Sequence, residues 1–553
     1  MLQRRQLFQF AGVAAVAGAG GATWMYLGAG RSDALAGVPF RHYPFDPVAA
    51  ENFRQKLFIP VASGPFGVLD VAGPLKIRAG AASFPLLPGR ESPFLLYQTE
   101  QSGKAYQNPI FRIECGARFT ASLDNALAEP TIIHWHGLHT PAAMDGHPAS
   151  TIGPGGRFAY DFKVSNRGGT YWYHTHAHEL TAEQAYHGLA SFFLVDDDDQ
   201  RSVSKALDLQ LGITDLPLVI QDKQFDAQGK LLYKPGAHEA MMGWLGDIVL
   251  ANLTPNAVQA VTPRTYRLRL LNGSNARIYR LAFVKGRTAL DFTVIGTDGG
   301  LIERPETVAE AFLAPGERLD VLFDAGQAQP GEDIFLKSLA FDAMENEGEG
   351  PAGGAGGMPG MGGMGMGRMM ASMSSSRLPL GAEFNVLKLS VTAGERIVAK
   401  LPVTLSRVKP IRTEGAAQRK IELSMGQMRF LINGRTYHMD EIAFDVKRGA
   451  VEIWNISNPT MGMPHPMHIH GFSFQVLERI GSPPQVAAMA RFGQGRTVSD
   501  LGWKDTVLVW PGETVRVTID FAHDFPGDQT YVFHCHNLEH EDGGMMINFR
   551  VKA

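Results

Sequence analysis

The stretch PGETVRVTIDFAHDFPGDQTYVFHCHNLEHEDGGMMINFRVKA, residues 511–553, ends the chain and decides the predicted fold class. It contains a turn, an alternating strand, a glycine turn, an aromatic strand that ends in His-Cys-His, a short loop and a closing strand. Residues 154–197, PGGRFAYDFKVSNRGGTYWYHTHAHELTAEQAYHGLASFFLVDD, follow the same plan. A plan that recurs within one chain indicates a repeated structural unit.

A second pair of similar segments precedes these two. Residues 115–138 read CGARFTASLDNALAEPTIIHWHGL, and residues 448–477 read RGAVEIWNISNPTMGMPHPMHIHGFSFQVL. The middle of the chain, at residues 262–283 and 292–325, has the same strand pattern without histidines. Alternating strands with turn signals about every 8–12 residues are typical of Greek-key sandwiches. We therefore predict an all-β protein built from three related units.

The composition excludes some classes of protein. The chain has 553 residues, which is too many for one hydrophobic core, so several domains are expected. Its formal net charge is −4 and no basic stripe is visible, which argues against a nucleic-acid partner. Only two cysteines are present, Cys115 and Cys535. If Cys535 binds metal, no intrachain disulfide can form, and we expect Cys115 to be a small buried hydrophobic residue.

The N-terminus has the features of an export signal. Arg4 and Arg5 precede a weakly hydrophobic stretch, residues 11–30, and Ala34–Ala36 form an A-x-A-like cleavage site. Residues 1–36 therefore resemble a twin-arginine signal peptide, which predicts a periplasmic protein with no membrane association after cleavage. An uncleaved membrane anchor is the alternative, because the apolar stretch is about 20 residues long.

A low-complexity segment interrupts the strand pattern at residues 345–377. It contains seven methionines between Met358 and Met373, together with many glycines. Such a composition cannot bury enough apolar area to form a core. We interpret it as an insertion near the end of the second domain.

Four short clusters contain histidines at metal-ligand spacing. They are HWHG (His134, His136), HTH (His174, His176), HPMHIHG (His465, His468, His470) and the C-terminal cluster (His534, Cys535, His536, His540, Met545). Alternate side chains of a strand share a face, so His534 and His536 point one way and Cys535 the other. One strand can therefore serve two metal sites.

The two sites differ in their donor atoms. The His-x-His pairs supply eight imidazoles, which suits a cluster of about three ions rather than a single ion. Cys535 can be joined by His465, His540 and Met545, which is the ligand set of a blue copper site. Zinc is the rival metal, but a structural zinc site would not need a second cluster across the strand.

These four motifs resemble those of the multicopper oxidases, and the resemblance covers nearly the whole mature chain. It implies three cupredoxin-like Greek-key domains, at 50–200, 208–395 (with the insertion 345–377) and 396–553. It also implies four copper ions. His465, Cys535, His540 and Met545 would hold the type 1 copper, and His134 and His468 the type 2 copper. The type 3 pair would be held by His136, His174, His176, His470, His534 and His536.

The resemblance also implies a mechanism. A reductant would give up single electrons near the exposed edge of His465, and Cys535 would pass them to His534 and His536. Four electrons would reduce O₂ to water. Acidic residues assist the cluster in related enzymes, and Asp145 and Glu541 match their positions.

The reductant is predicted to be Cu(I), because soft thioethers bind it well. Met461 and Met463 lie just before His465, and the Met-rich insertion is similar to that of bacterial copper-efflux oxidases. This chain departs from those enzymes at Met461, where they place an Asp in a substrate-copper site. The runner-up is a laccase-like oxidase of small phenols, similar to the bacterial laccases. We expect the protein to be a monomer.

Three other classes compete with this interpretation. A copper-sequestering protein would bind copper beyond the four expected ions and turn over slowly. A non-enzymatic scaffold or cell-division protein of the same fold would be expected to lack the copper ligands. A copper nitrite reductase would lack the eight-imidazole arrangement.

Overall fold

The computed structural model describes residues 50–346, 376–398, 400–426, 429–460 and 462–553. The predicted signal peptide, residues 347–375 of the predicted insertion, and Met461 lie outside the described residues. Within them, strands dominate, which confirms the all-β class. None of the helices in these ranges is long and apolar enough to cross a membrane.

The N-terminal part of the described chain forms two facing sheets. Its strands are β1 (Gln55–Lys56), β2 (Gly64–Pro65), β3 (Val68–Asp70), β4 (Leu75–Leu87), β5 (Arg90–Gln101), β6 (Lys104–Gln107), β7 (Ile110–Glu114), β8 (Arg118–Asn125), β9 (Ile133–His134), β10 (Arg157–Lys163), β11 (Gly169–Thr175) and β12 (Ala190–Asp196). One sheet has the order β10-β8-β4-β5-β6-β2 and the other β3-β7-β12-β11-β9. Strand β1 joins the middle part of the chain.

The middle part forms a second pair of sheets. Its strands are β13 (Asp215–Phe225), β14 (Leu231–Leu232), β15 (Ile248–Ala251), β16 (Thr254–Pro255), β17 (Ala257–Val261), β18 (Thr265–Asn272), β19 (Tyr279–Lys285), β20 (Thr288–Leu290), β21 (Phe292–Thr297), β22 (Gly300–Val308), β23 (Ala311–Leu313), β24 (Arg318–Asp324), β25 (Asp333–Ser338) and β26 (Phe384–Val391). The sheet orders are β16-β15-β13-β18-β24-β21-β22 and β1-β17-β26-β25-β19-β20.

The C-terminal part forms a third pair of sheets. Its strands are β27 (Ala417–Gly426), β28 (Arg429–Ile432), β29 (Ile442–Lys447), β30 (Val451–Ser457), β31 (His465–Ile469), β32 (Phe474–Ile480), β33 (Thr506–Val509), β34 (Thr514–Asp520), β35 (Gln529–Cys535) and β36 (Met546–Lys552). The sheet orders are β28-β27-β30-β34-β32 and β29-β36-β35-β31-β33.

All three sandwiches share one pairing pattern. In the first sheet of each, a central strand (β8, β18 or β30) pairs antiparallel with one neighbour and parallel with the other. In the facing sheet, β12, β26 or β36 pairs parallel with an earlier strand and antiparallel with another. The three related units predicted from the sequence are therefore present. The exact domain boundaries stay predictions.

The burial of the strands explains their sequences. Strand β8 alternates between buried and less buried residues, because one face covers the core and the other faces outward. Strands β11 and β31 are buried along their whole length, since both of their faces are covered by protein. Both strands contribute histidines, so the imidazoles lie deep inside the molecule.

The helices are short and connect strands. They are α1 (Thr181–Tyr186), α2 (Asp198–Ala206), α3 (Ala237–Met242), α4 (Pro484–Ala487) and α5 (Leu538–Asp542). Helix α5 follows directly on the His-Cys-His strand, and α1 and α3 pack against it. These three helices therefore cover one side of the C-terminal histidine cluster.

The prediction that Cys115 is buried is wrong. Strand β7 ends at Glu114, and Cys115 lies exposed in the turn that follows. Gly116, which has a positive φ of 88°, completes this turn and redirects the chain into β8. The strand-like pattern continues past the point where the backbone leaves the sheet, and this misled the prediction.

Candidate metal centre

The His-x-His pairs face each other across strand ladders. His134 in β9 lies directly opposite His174 in β11, and His468 in β31 lies directly opposite His534 in β35. The same register therefore recurs in the first and third sandwiches. Rings from the two sandwiches then stack on each other. The ring centroids of His134 and His470 are 3.6 Å apart, and those of His136 and His468 are 3.7 Å apart.

The eight imidazoles form three groups in which the ligand atoms lie within 4.8 Å of one another. The groups are His134, His136 and His468; His136, His174 and His536; and His176, His470 and His534. Several ring nitrogens point at each other. Nε2 of His134 is 3.4 Å from Nε2 of His468, and Nε2 of His470 is 3.0 Å from Nε2 of His534. Such convergent donors can hold about three metal ions.

The imidazoles are held in the form that binds metal. Burial lowers the pKa of His174 to about 4 and that of His176 to about 3. Burial likewise holds the pKa of five more of these rings well below its usual value (His134, His136, His468, His470 and His536). Neutral imidazole is the metal-binding state. Both ring nitrogens of His536 are buried and find no hydrogen-bond partner among the described residues, so they are available to a metal ion.

A second group lies on the opposite face of β35. The Cys535 sulfur is 3.5 Å from Nδ1 of His465 and 3.6 Å from Nδ1 of His540. Met545 is fully buried, and its carbonyl accepts a hydrogen bond from the Cys535 backbone N–H at 3.0 Å. Met545 also shares a hydrophobic cluster with Cys535. A thiol, two imidazoles and a nearby thioether suit copper better than the harder metals.

Two acidic side chains contact the eight-histidine cluster. The Asp145 carboxylate is 2.7 Å from Nδ1 of His470, and the Asp145 carbonyl accepts from Nδ1 of His134 at 2.8 Å. On the other side, Glu541 lies 3.2 Å from Nδ1 of His534 and 3.6 Å from Nε2 of His176. The two acids therefore flank the cluster from opposite ends.

The environments of these two acids push their pKa values apart. Burial raises the pKa of Asp145 well above its usual value, so this carboxyl favours the protonated form. Burial also opposes ionisation of Glu541, but the neighbouring His176 and His534 outweigh it and lower the pKa of Glu541. One acid can thus hold a proton while the other stays ionised, an arrangement typical of acid–base chemistry.

A cavity of about 610 Å³ lies beside the cysteine centre. Its walls include Met241, Phe430, Tyr437, Glu539 and His540. The expectation of an exposed edge at His465 is not met, since His465 is 2% exposed. His540 is equally buried, but it forms part of the wall of this cavity, whereas His465 does not. The reason is that His465 begins the buried strand β31, whereas His540 lies on α5 at the cavity wall.

Of the two predicted substrate methionines, Met463 lies within the described residues and Met461 does not. Met463 is 5% exposed and packs in the hydrophobic cluster that contains Cys535 and Met545. Its carbonyl accepts a hydrogen bond from the Asn458 side chain at 2.7 Å. Met463 is therefore close to the cysteine centre but beneath the surface.

Two buried residues beside the histidine cluster, Asp505 and Arg318, were not predicted from the sequence. Asp505 lies 2.9 Å from Nε2 of His136 and also binds Arg318. Both side chains are fully buried. Asp505 stands among apolar residues in GWKDTVLVW, and a charge in such a run signals a buried partner. No sequence signal indicates that the partner is Arg318.

A buried cluster of imidazoles joined by one strand to a cysteine–histidine centre defines a copper-binding redox protein. Three sequence models described as multicopper oxidase match residues 100–200, 168–347 and 409–553. The chain belongs to the multicopper oxidase family, and it is therefore an oxidoreductase. Members of this family bind four copper ions, and the histidine groups fit that number.

Three relatives illustrate the range of the family. The chain is 33% identical to the laccase of Bacillus subtilis (strain 168), over 75% of this chain and 78% of the relative. It is 30% identical to the cell division protein FtsP of Sodalis glossinidius, over 81% and 84%. The crystal structure of the McoA multicopper oxidase from Aquifex aeolicus matches with a TM-score of 0.77 and 38% identity, covering 90% of this chain and all of that one.

Proposed function

We propose that the protein couples the one-electron oxidation of Cu(I) to the four-electron reduction of O₂ to water, and so contributes to copper tolerance. One observation carries the oxidase part of this proposal. Cys535 lies within 3.6 Å of two imidazoles, while the residues on either side of it, His534 and His536, belong to the eight-histidine cluster. This gives a covalent path from an electron-accepting centre to an oxygen-reducing one.

The ligand roles follow from the groups of facing nitrogens. We assign His465, Cys535, His540 and Met545 to the type 1 copper, and His134 and His468 to the type 2 copper. One type 3 copper is assigned to His136, His174 and His536, and the other to His176, His470 and His534. Bound copper supplies one-electron redox steps that these side chains alone cannot perform.

Reduction of O₂ to water needs protons as well as the electrons of the reductant. We assign Asp145 as the group that holds a proton beside His470, because burial favours its protonated form. Glu541 remains ionised beside His176 and His534, so it can accept and release a proton at the other side of the cluster. These roles divide acid and base between two positions.

Thioethers around the type 1 centre support Cu(I) as the reductant. Met463 belongs to the hydrophobic cluster that contains Cys535, and Met241 and Met242 of α3 pack against this cluster. The His540 ring lies 3.0 Å from the Met241 carbonyl through its Nε2. Four residues after Met242, the carbonyl of Gly246 accepts a hydrogen bond from Ser376, where the chain returns from the Met-rich segment. Met461 remains a predicted contributor.

A second candidate function is laccase-like oxidation of small phenols. The cavity of about 610 Å³ beside His540 favours it, because a Cu(I) ion needs far less space. Phe430 stacks near the His540 ring with centroids 4.0 Å apart, and Tyr437 also lines the cavity. An aromatic reductant could pack against Phe430 and Tyr437 and so lie beside the cavity wall that contains the buried His540.

The remaining alternatives are weaker. The similarity to the cell division protein FtsP raises a scaffold role as an alternative, but such a role does not require the complete set of buried ligands present here. A copper nitrite reductase does not need eight clustered imidazoles. A copper-sequestering protein would bind more than four ions and turn over slowly. We also propose that the protein is exported by the twin-arginine route and acts in the periplasm, on the basis of Arg4, Arg5 and the cleavage-site pattern. We further propose that it is a monomer.

One experiment tests the proposal. Oxygen consumption by the copper-loaded protein is measured with Cu(I) and with a simple phenol at matched concentrations. We expect a much higher catalytic efficiency with Cu(I). Equal or better turnover of the phenol would favour the laccase-like function, and no turnover of either by a protein carrying four copper ions would refute an oxidase.

A further inference from the structure

Asp505 contacts two histidines that belong to different copper sites in the assignment above. Its carboxylate accepts a hydrogen bond from Nε2 of His136 at 2.9 Å, and its backbone carbonyl accepts from Nδ1 of His468 at 2.8 Å. Each bond places the ring proton on the nitrogen that faces Asp505. The opposite nitrogens, Nδ1 of His136 and Nε2 of His468, are thereby left free to bind metal.

The free nitrogens point into the cluster. Nδ1 of His136 is 3.4 Å from Nε2 of His174, and Nε2 of His468 is 3.4 Å from Nε2 of His134. Asp505 therefore sets the tautomer of two rings at once. The two rings stack with centroids 3.7 Å apart, so a rotation of one disturbs the other.

Arg318 holds Asp505 in place from the middle sandwich. Its guanidinium binds both carboxylate oxygens of Asp505, with Nη1 donating to Oδ1 at 2.8 Å. The remaining donors reach carbonyls of Thr170, Gly316 and Asp298 at 2.8–3.0 Å. Arg318 lies in β24, Thr170 in β11 and Asp505 next to β33, so one fully buried side chain joins all three sandwiches.

A buried charge network surrounds this pair. Lys504 lies 2.9 Å from Asp298 and 3.0 Å from Glu317, and both acids belong to the middle sandwich. All of these side chains are nearly inaccessible to solvent. A buried charge that loses its partner is strongly destabilised, so the network fixes the position of Asp505.

The backbone of the middle sandwich also approaches the histidines closely. A Cβ atom on Gly316 would lie 2.9 Å from Cδ2 of His536 and 3.2 Å from Cε1 of His136. Gly316 has a positive φ of 84°, which favours glycine there. The turn before β24 is thus a wall of the histidine cluster.

We propose that the middle sandwich, which contributes none of the assigned copper ligands, positions the trinuclear site through Arg318 and Asp505. Both are positioning residues. They act by fixing the ring orientation and tautomer of His136 and His468. This inference rests on the ligand assignment of the proposed function, but it does not depend on whether the reductant is Cu(I) or a phenol.

The test compares Asp505→Asn and Arg318→Lys with a matched control, Arg479→Lys. Arg479 is also buried and binds two carboxylates, Asp500 and Glu513, but it contacts no assigned ligand. Copper content, the type 2 copper EPR signal and the blue type 1 absorption are measured on each protein. Thermal unfolding of the copper-free proteins shows whether each variant folds, and Asp505→Asn, which keeps the side-chain volume, carries the test if Arg318→Lys does not fold.

We expect the Asp505 and Arg318 variants to bind cluster copper about 10- to 100-fold more weakly, with an altered type 2 signal and an intact blue band. The Arg479 control should keep all three properties. Folded variants with full copper content and an unchanged type 2 signal would overturn the positioning role. A wild-type protein that takes up the blue copper but no type 2 copper would instead overturn the ligand assignment on which the inference rests.

Discussion

The Cys535 sulfur lies 3.5 Å from Nδ1 of His465, and both side chains are buried in the third sandwich. Met467 in β31 lies directly opposite Cys535 in β35. His465 lies two residues before Met467, so both side chains are on the same face of β31. From this face the His465 ring contacts Cys535. This arrangement separates the cysteine centre from His468, which lies on the other face.

Replacing Cys535 by serine should remove the blue absorption. A hydroxyl oxygen is a poor substitute for a thiolate at a soft copper site, whereas the side chain changes little in volume. The absorption spectrum of the copper-loaded variant checks this, with thermal unfolding of the copper-free protein as a test of folding. Cys115→Ser, at an exposed cysteine, is the control and should stay blue. A blue Cys535→Ser protein would contradict the type 1 assignment.

Replacing His468 by alanine should deplete type 2 copper and stop oxygen turnover. The variant leaves His134 without the ring nitrogen that faces it at 3.4 Å and leaves the Asp505 carbonyl without its donor. EPR and oxygen consumption measure the two effects. His187→Ala is the control, because Nδ1 of the His187 ring bonds the Glu183 carbonyl four residues earlier and the ring belongs to none of the histidine groups. Retention of both properties in His468→Ala would show that the motif register is wrong.

The sequence predicts the sandwiches and the histidine cluster well because both depend on local patterns. Strand alternation has a period of two, so a His-x-His pair on a strand places both rings on one face wherever the strand lies. Two such pairs recur in each of two repeated units, and the repeats share one register, which brings His134 opposite His174 and His468 opposite His534.

The surroundings of the cluster could not be predicted in the same way. Arg318 and Asp505 are 187 residues apart, and His540 and the Met241 carbonyl are 299 residues apart. No periodicity links such pairs, since they meet only after the three sandwiches pack. The cavity wall beside His540 depends on α3, a six-residue helix in the loops of the middle sandwich, whose position no repeat indicates.

Replacing Glu539 by glutamine should flatten the pH dependence of stability. Burial raises the pKa of Glu539 from 4.5 to about 7, although Asn275, the Trp244 backbone N–H and Tyr233 donate to its carboxylate. The folded protein therefore binds this proton more tightly than the unfolded chain. The stabilisation is fully present below pH 4.5 and is lost as the pH rises through 7, by at most about 3 kcal/mol.

The thermal unfolding midpoints of the copper-free wild type and Glu539→Gln, each at pH 5 and pH 8, measure this effect. We expect the wild type to lose more stability than the variant between the two values. Titration of the histidines is common to both proteins, so the difference between the two pH profiles reports Glu539 together with its effect on Lys223. Burial lowers the pKa of Lys223 to about 7, and the Glu539 charge opposes this shift. Parallel profiles would mean that Glu539 is already ionised at pH 5 in the folded protein.

Removing the thioethers of the Met-rich segment should lower Cu(I) oxidation more than phenol oxidation. The described chain breaks off after Asn346, two residues beyond Met344, which belongs to the same hydrophobic cluster as Cys535. It resumes at Ser376, which donates a hydrogen bond to the Gly246 carbonyl. The segment is therefore attached at one end to the domain core that contains Cys535 and at the other end to the loop after α3. Two variants separate thioether chemistry from chain length. One deletes residues 351–375 and retains Ser376, and the other changes the seven methionines between Met358 and Met373 to serine.

Steady-state oxygen consumption with each reductant measures the result. If thioethers deliver Cu(I), both variants should raise the KM for Cu(I) and leave phenol kinetics nearly unchanged. If the segment only restricts access to the cavity beside His540, the deletion should speed phenol oxidation while the serine variant behaves like the wild type. Equal effects of both variants on both reductants would contradict a copper-handling role, because the type 1 ligands, which all reductants share, are the same in each protein.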